Sequence, residues 1–125
     1  AILNKPGKLT DEEFAEMRRH PGHGAAILAN IQSAKVAALV PGVKYHHERW
    51  DGSGYPEGLK GEEIPLLGRI LSVADFLDAL TSDRAYRKGM PLDEVLLRVR
   101  EHLEACPCCT GQFMLVLETL KALEE

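Results

Sequence analysis

Hydrophobic positions recur at helical spacing along most of the chain, interrupted by short polar or glycine- and proline-bearing breaks. Ala1 to Leu9 reads as a loop holding Pro6 and Gly7. Thr10-Asp11-Glu12-Glu13 then has the form of a capping box, in which Thr10 takes the Glu13 amide and Glu13 reaches back. The helix it opens runs through Phe14 and Met17 to Arg19. Pro21 suits the first turn of a second helix, whose apolar positions are Ala26, Ile27 and Ile31. Ala34 to Val40 is a short helical segment, and Pro41 opens the next, carrying Val43, Tyr45 and the doublet His46-His47. Asp51 to Pro65, with Gly52, Gly54, Gly58, Gly61 and Pro56, predicts a shaped loop whose far end, Lys60 to Glu63, is polar and exposed. Leu66 to about Ser82 is apolar almost all round, the mark of a buried helix. Pro91 to Leu103 is another helix, Cys106 to Gly111 a loop, and Gln112 to Glu125 a last helix. The pattern predicts an all-α bundle of six or seven helices in one domain spanning residues 1–125.

Composition narrows the functional classes. The 125 residues are 45% hydrophobic and 27% charged, an ordinary soluble balance. A net charge of −4 argues against a general nucleic-acid surface. No apolar run approaches the ~20 residues of a membrane span. Three cysteines within four positions, Cys106, Cys108 and Cys109, do not form a disulfide framework, and a reducing, cytoplasmic compartment fits them best. They lack the second ligand pair of a familiar zinc spacing, so incidental thiols are the expected reading.

The candidate chemistry lies around His46-His47-Glu48-Arg49-Trp50-Asp51-Gly52-Ser53-Gly54-Tyr55-Pro56. Adjacent helical residues diverge by about a quarter-turn or slightly more, so the two histidines cannot point the same way but can serve two partners side by side. A pair of metal ions about 3.5–4 Å apart would suit them, as would the terminal carbonyls of their own helix. His20 stands at a helix junction, where its ring can be aimed into a cavity or can cap a helix; His23 is expected in solvent. Asp75 falls in the most apolar helix, and a buried carboxylate is costly unless it is paired or bound to metal. Asp78, one turn on, reads as structural. Arg84, Arg87 and Lys88 leave that helix as a solvated end or as a phosphate clamp, since arginine offers a planar fork.

Taken together, His46-His47 through Gly54-Tyr55-Pro56, then Val73-Ala74-Asp75 and Ala79-Leu80-Thr81-Ser82-Asp83-Arg84, resemble the HD-GYP domain of the HD superfamily of metal-dependent phosphohydrolases. Asn4 to Thr10 and His20-Pro21 also match, so the resemblance covers about residues 1–112. It implies a helical bundle holding two or three divalent metal ions, iron or manganese. It further implies hydrolysis of the bacterial second messenger cyclic di-GMP to pGpG or GMP. Carried over by position, His20, His46, His47 and Asp75 match metal ligands, with His46, His47 and Asp75 at the catalytic centre. Arg84 and Arg87 match residues near the ligand phosphates; Tyr55 belongs with them and, with Gly54 and Pro56, forms the loop of the family name.

Departures accompany the match. The His-Asp doublet of the superfamily falls upstream of Ala1 in the family pattern, and no such pair occurs in this sequence. Four candidate ligands do not fill two or three coordination spheres. The chain is therefore expected to be the C-terminal part of a larger protein, following a receiver or sensor module, with little or no turnover by itself. A variant that has lost catalysis is the alternative. The family's Gly-x-x-Phe-Asp-Pro reads here Gly111-Gln112-Phe113-Met114-Leu115, which puts the last turn in doubt. A rival function is a regulatory module that binds cyclic di-GMP, or a GGDEF-domain partner, through an exposed Tyr55, without hydrolysis.

Overall fold

The computed structural model describes residues 2, 5, 7–83, 87–107, 109–111 and 113–114. Among them it is helical and contains no strand, in the order α1 (Asp11–Met17), α2 (His20–Ala29), α3 (Ala34–Ala37), α4 (Val40–Tyr45), α5 (Leu66–Thr81) and α6 (Leu92–Ala105), with a short 3₁₀ turn at Gly61–Glu63. Local chemistry explains most of the boundaries. Thr10 Oγ1 accepts the Glu13 amide and Glu13 accepts the Thr10 amide at 2.8 Å, so both halves of the expected box are present. Lys5 Nζ adds an ion pair to Glu13 at 2.6 Å. Pro21, buried in the first turn of α2, follows the end of α1, as its missing N–H and its bulk on the preceding residue require.

The short helix α4 is the centre of the arrangement, with α2 on one side and α5 on the other. Small residues set how closely they approach. A Cβ on Gly42 would overlap the Leu67 side chain, and one on Gly68 would stand 3.3 Å from the Tyr45 carbonyl oxygen. A Cβ on Gly24 would come within 3.0 Å of Val43. The faces thus brought together carry Val43 of α4 and His46 just past its end, three apart, and Leu71, Ala74, Asp75 and Asp78 from α5, three, four and seven apart.

Burial differs from the sequence expectation for α5. Only its Gly68 and Arg69 are buried, whereas Ala74, Asp75 and Phe76 are exposed. The described elements cover one flank of this helix, and its continuous apolar composition exceeds what they can cover. Among the described residues, the largest fully buried side chains are those of Ile64, Glu48, Val95 and Pro21. Arg69 is only 8% exposed, and its Nε and Nη1 have no partner among the described residues. Its guanidinium lies 5.9 Å from the centre of the Trp50 ring, a cation–π contact. Beyond α6, the loop expected over Cys106 to Gly111 is instead helical at Pro107, Cys109, Thr110 and Gly111. Thr110 explains this by bonding back to the Cys106 carbonyl through both its amide and its hydroxyl, each at 3.0 Å. The last predicted helix lies almost wholly outside the described residues. No helix among those described is long and apolar enough to cross a membrane.

Candidate metal centre

Three histidines from two helix ends converge. His20, the first residue of α2, places Nδ1 2.7 Å from the Met17 carbonyl oxygen. His46, just past the last residue of α4, places Nδ1 2.7 Å from the Val43 carbonyl oxygen. A carbonyl only accepts, so each Nδ1 is the donor, and in the neutral ring that tautomer leaves the lone pair on Nε2. The capping and the ligand readings of these residues are therefore compatible: one nitrogen caps, and the other is left available to a ligand role. His47 completes the group with Nε2 3.1 Å from His20 Nε2. Ring centres are 5.5 Å apart for His20–His46, 4.8 Å for His20–His47 and 4.1 Å for His46–His47. One nitrogen from each of the three lies within 4.8 Å of the others.

This donor set fits a divalent cation. Two nitrogens each about 2.1 Å from one ion stand about 3 Å apart when they meet it at a right angle. Burial chiefly, then the neighbouring His46 and His20, lowers the His47 pKa to about 4, so its imidazole is neutral at pH 7, the ligating form. Asp75 counteracts that shift. Its carboxylate is exposed in an open cleft of about 370 Å³ beside His46, outside the histidine cluster. Asp75 is thus not the buried acid that the apolar pattern of α5 implies. Asp78 shares the cleft and accepts the Ser82 hydroxyl at 2.9 Å.

Tyr55 is packed inward. Its ring stacks on His47 with centres 4.8 Å apart, and Arg18 lies over it at 4.6 Å. Burial raises the pKa of its hydroxyl. The expectation of an exposed anchor fails here because the Tyr55 amide donates to the His47 carbonyl at 3.2 Å, folding the loop onto the doublet. Gly54 permits that approach, since a Cβ there would overlap the backbone of Glu48 and Arg49. Pro56 is exposed beside it.

Glu48 holds the other end of the loop, a role that the sequence reading did not assign to it. It is 1% exposed. One carboxylate oxygen accepts the amides of Glu57 at 2.7 Å and Gly58 at 3.1 Å, and the other accepts Leu59 at 3.0 Å. An acid directly after two candidate ligands and before a glycine-rich loop was the signal available for it. Of the cationic residues, Arg84 lies outside the described residues. Arg87 is half-buried and donates to the Ala79 carbonyl near the end of α5. His23 is exposed, as expected.

Comparison with known proteins places the chain in a family. The family model described as "HD domain" matches residues 1–104. A cyclic di-GMP phosphodiesterase of Pseudomonas aeruginosa is 54% identical over 101 residues, 80% of this chain and 24% of that protein. A cyclic di-GMP phosphodiesterase response regulator of Xanthomonas campestris is 49% identical over 98 residues, covering 77% and 25%. A 3'3'-cGAMP-specific phosphodiesterase of Vibrio cholerae is 43% identical over 103 residues, covering 82% and 22%. The chain spans about a quarter of the length of these curated relatives. With its converging histidines and its Gly54-Tyr55-Pro56 loop, it belongs to the HD domain family, in the HD-GYP form.

Proposed function

We propose that this chain forms part of a metal-dependent phosphodiesterase centre for a cyclic dinucleotide, cyclic di-GMP in the first place. The observation that carries the reading is the set of three imidazoles, one nitrogen of each within 4.8 Å of the others, with the Nε2 atoms of His20 and His47 3.1 Å apart. His20, His46 and His47 would hold a divalent cation, with Asp75 reaching the same region from the cleft; iron or manganese suits such nitrogen and carboxylate donors. Two or three ions, when bound, polarise phosphoryl oxygens and make water nucleophilic at neutral pH. The protein's own residues orient the ligands. Met17 and Val43 carbonyls fix two tautomers, Tyr55 holds the His47 ring, and Glu48 fixes the loop that carries Tyr55. The cleft beside His46 and Asp75 has room for a phosphate of the substrate, and Arg84 and Arg87 are its proposed cationic partners.

Cyclic di-GMP is preferred because relatives named for it reach 54% and 49% identity, against 43%, 44% and 42% for those named for 3'3'-cGAMP. The rival module binding a GGDEF-domain partner would use the exposed Pro56, Glu57 and Gly58, since Tyr55 is engaged with His47. The test is turnover of both dinucleotides without oxygen, with iron or manganese supplied. It is run on this chain and on a form extended upstream through a His-Asp segment. We expect cyclic di-GMP cleavage by the extended form, abolished by His47→Gln and Asp75→Asn, and little or none by the chain alone. An extended form that binds metal at these histidines but cleaves neither dinucleotide would overturn the reading.

A further inference from the structure

We propose a second metal site, independent of the histidine cluster, in which His102, Cys106 and Cys109 bind a zinc ion. One ligand atom from each lies within 4.8 Å of the others. The backbone brings them there by construction. His102 and Cys106 are four apart at the end of α6, hence on one face, and the Cys106 amide still donates to the His102 carbonyl at 2.9 Å. At Cys106 the chain leaves helical geometry (φ −125°, ψ 96°) and rewinds at once from Pro107. Thr110 locks the rewound turn: its amide and hydroxyl bond to the Cys106 carbonyl, and its hydroxyl also to that of Leu103. Cys109 is thereby carried back over the helix end, beside Cys106.

The donors select the ion. Two thiolates and an imidazole are soft to borderline, which favours zinc over the harder iron(II) and manganese(II) suited to the other cluster. Tetrahedral zinc, with bonds of about 2.3 Å to sulfur and about 2.0 Å to nitrogen, places its sulfurs about 3.8 Å apart and each sulfur about 3.5 Å from the nitrogen. Ligand atoms within 4.8 Å reach those separations by side-chain rotation of about an ångström. Both cysteines are half-buried and His102 is exposed, so the ion enters from the His102 side. Three protein ligands leave a fourth position for water. Such an ion would clamp the turn after α6 onto that helix, replacing packing with coordination where little of the surroundings is buried.

Cobalt(II) is the probe. The chain is stripped of metal, kept reduced with a non-thiol reductant, and titrated with Co²⁺. We expect thiolate-to-cobalt charge-transfer absorption and intense tetrahedral ligand-field bands that saturate and are bleached by Zn²⁺. His47→Gln leaves them in place, Cys106→Ser with Cys109→Ser removes them, and His102→Ala weakens binding at least tenfold, with helix content by circular dichroism confirming folding. The proposal fails if the charge-transfer band is absent from the unaltered chain, if it survives the double serine substitution, or if His102→Ala changes nothing.

Discussion

Replacing Glu48 tests whether one buried carboxylate sets the loop beside the histidines. In the folded chain it accepts three backbone amides, from Glu57, Gly58 and Leu59. Hydrogen bonds to a charged acceptor contribute about 1.5–3 kcal/mol each, and a stranded buried donor costs about 1–3 kcal/mol. The three share one acceptor, so their contributions do not simply add. Glu48→Ala should therefore cost about 4 kcal/mol, a large share of the 5–15 kcal/mol typical of a domain. Glu48→Gln separates the two oxygens. Its amide oxygen can keep the Glu57 and Gly58 bonds, while its NH₂ would face the Leu59 amide, donor against donor, at a cost of about 2 kcal/mol. Urea denaturation read by far-ultraviolet circular dichroism gives both values. The order wild type, Gln, Ala in midpoint, with similar slopes, is the expected result. An alanine variant within 1 kcal/mol of wild type would refute the idea that this carboxylate holds the loop.

Two further outcomes follow from the same geometry. Gly54→Ala places a methyl group into the backbone of Glu48 and Arg49, which cannot yield as a side-chain tip would; a loss of about 2–3 kcal/mol in the same urea assay is expected, with weaker metal retention at the histidines. For His47, the unfolded chain takes up a proton near pH 6.5 that the folded chain refuses until about pH 4. Its contribution to stability is therefore present above pH 6.5 and is lost as pH falls toward 4. Urea midpoints measured in chelator across that window should drop more steeply for the native chain than for His47→Gln, and equal slopes would contradict the assigned shift.

What the sequence made legible was local. The Thr10–Glu13 box, the proline that opens α2 and the helical periods of α5 and α6 each depend on neighbours within one or two turns, and each appears at its expected place. The histidine trio was approachable because all three sit at helix ends, where a side chain can leave the helix axis. Burial was not legible. Asp75 was expected in a dry interior because its own helix is apolar, yet exposure depends on which other elements reach that face. Glu48 was passed over for the opposite reason: its three partners lie nine to eleven residues away, and no spacing rule links a helix-end acid to the amides of a loop. The turn at Cys106 misled because prolines and cysteines suggest a loop, whereas Thr110 supplies the bonds that rewind it.

The chain has a single tryptophan, and its position makes it a reporter. The Trp50 carbonyl accepts the Gly61 amide at 3.0 Å, closing the loop that Glu48 holds. Its indole has the Arg69 guanidinium over one side and comes within 4 Å of the Cβ position at Gly111, in the rewound turn after α6. Light emitted by this chain therefore comes almost entirely from one ring that touches the loop, α5 and the segment bearing Cys109. Its intensity and colour should respond to release of the loop and to cobalt bound at the proposed site, without any added label.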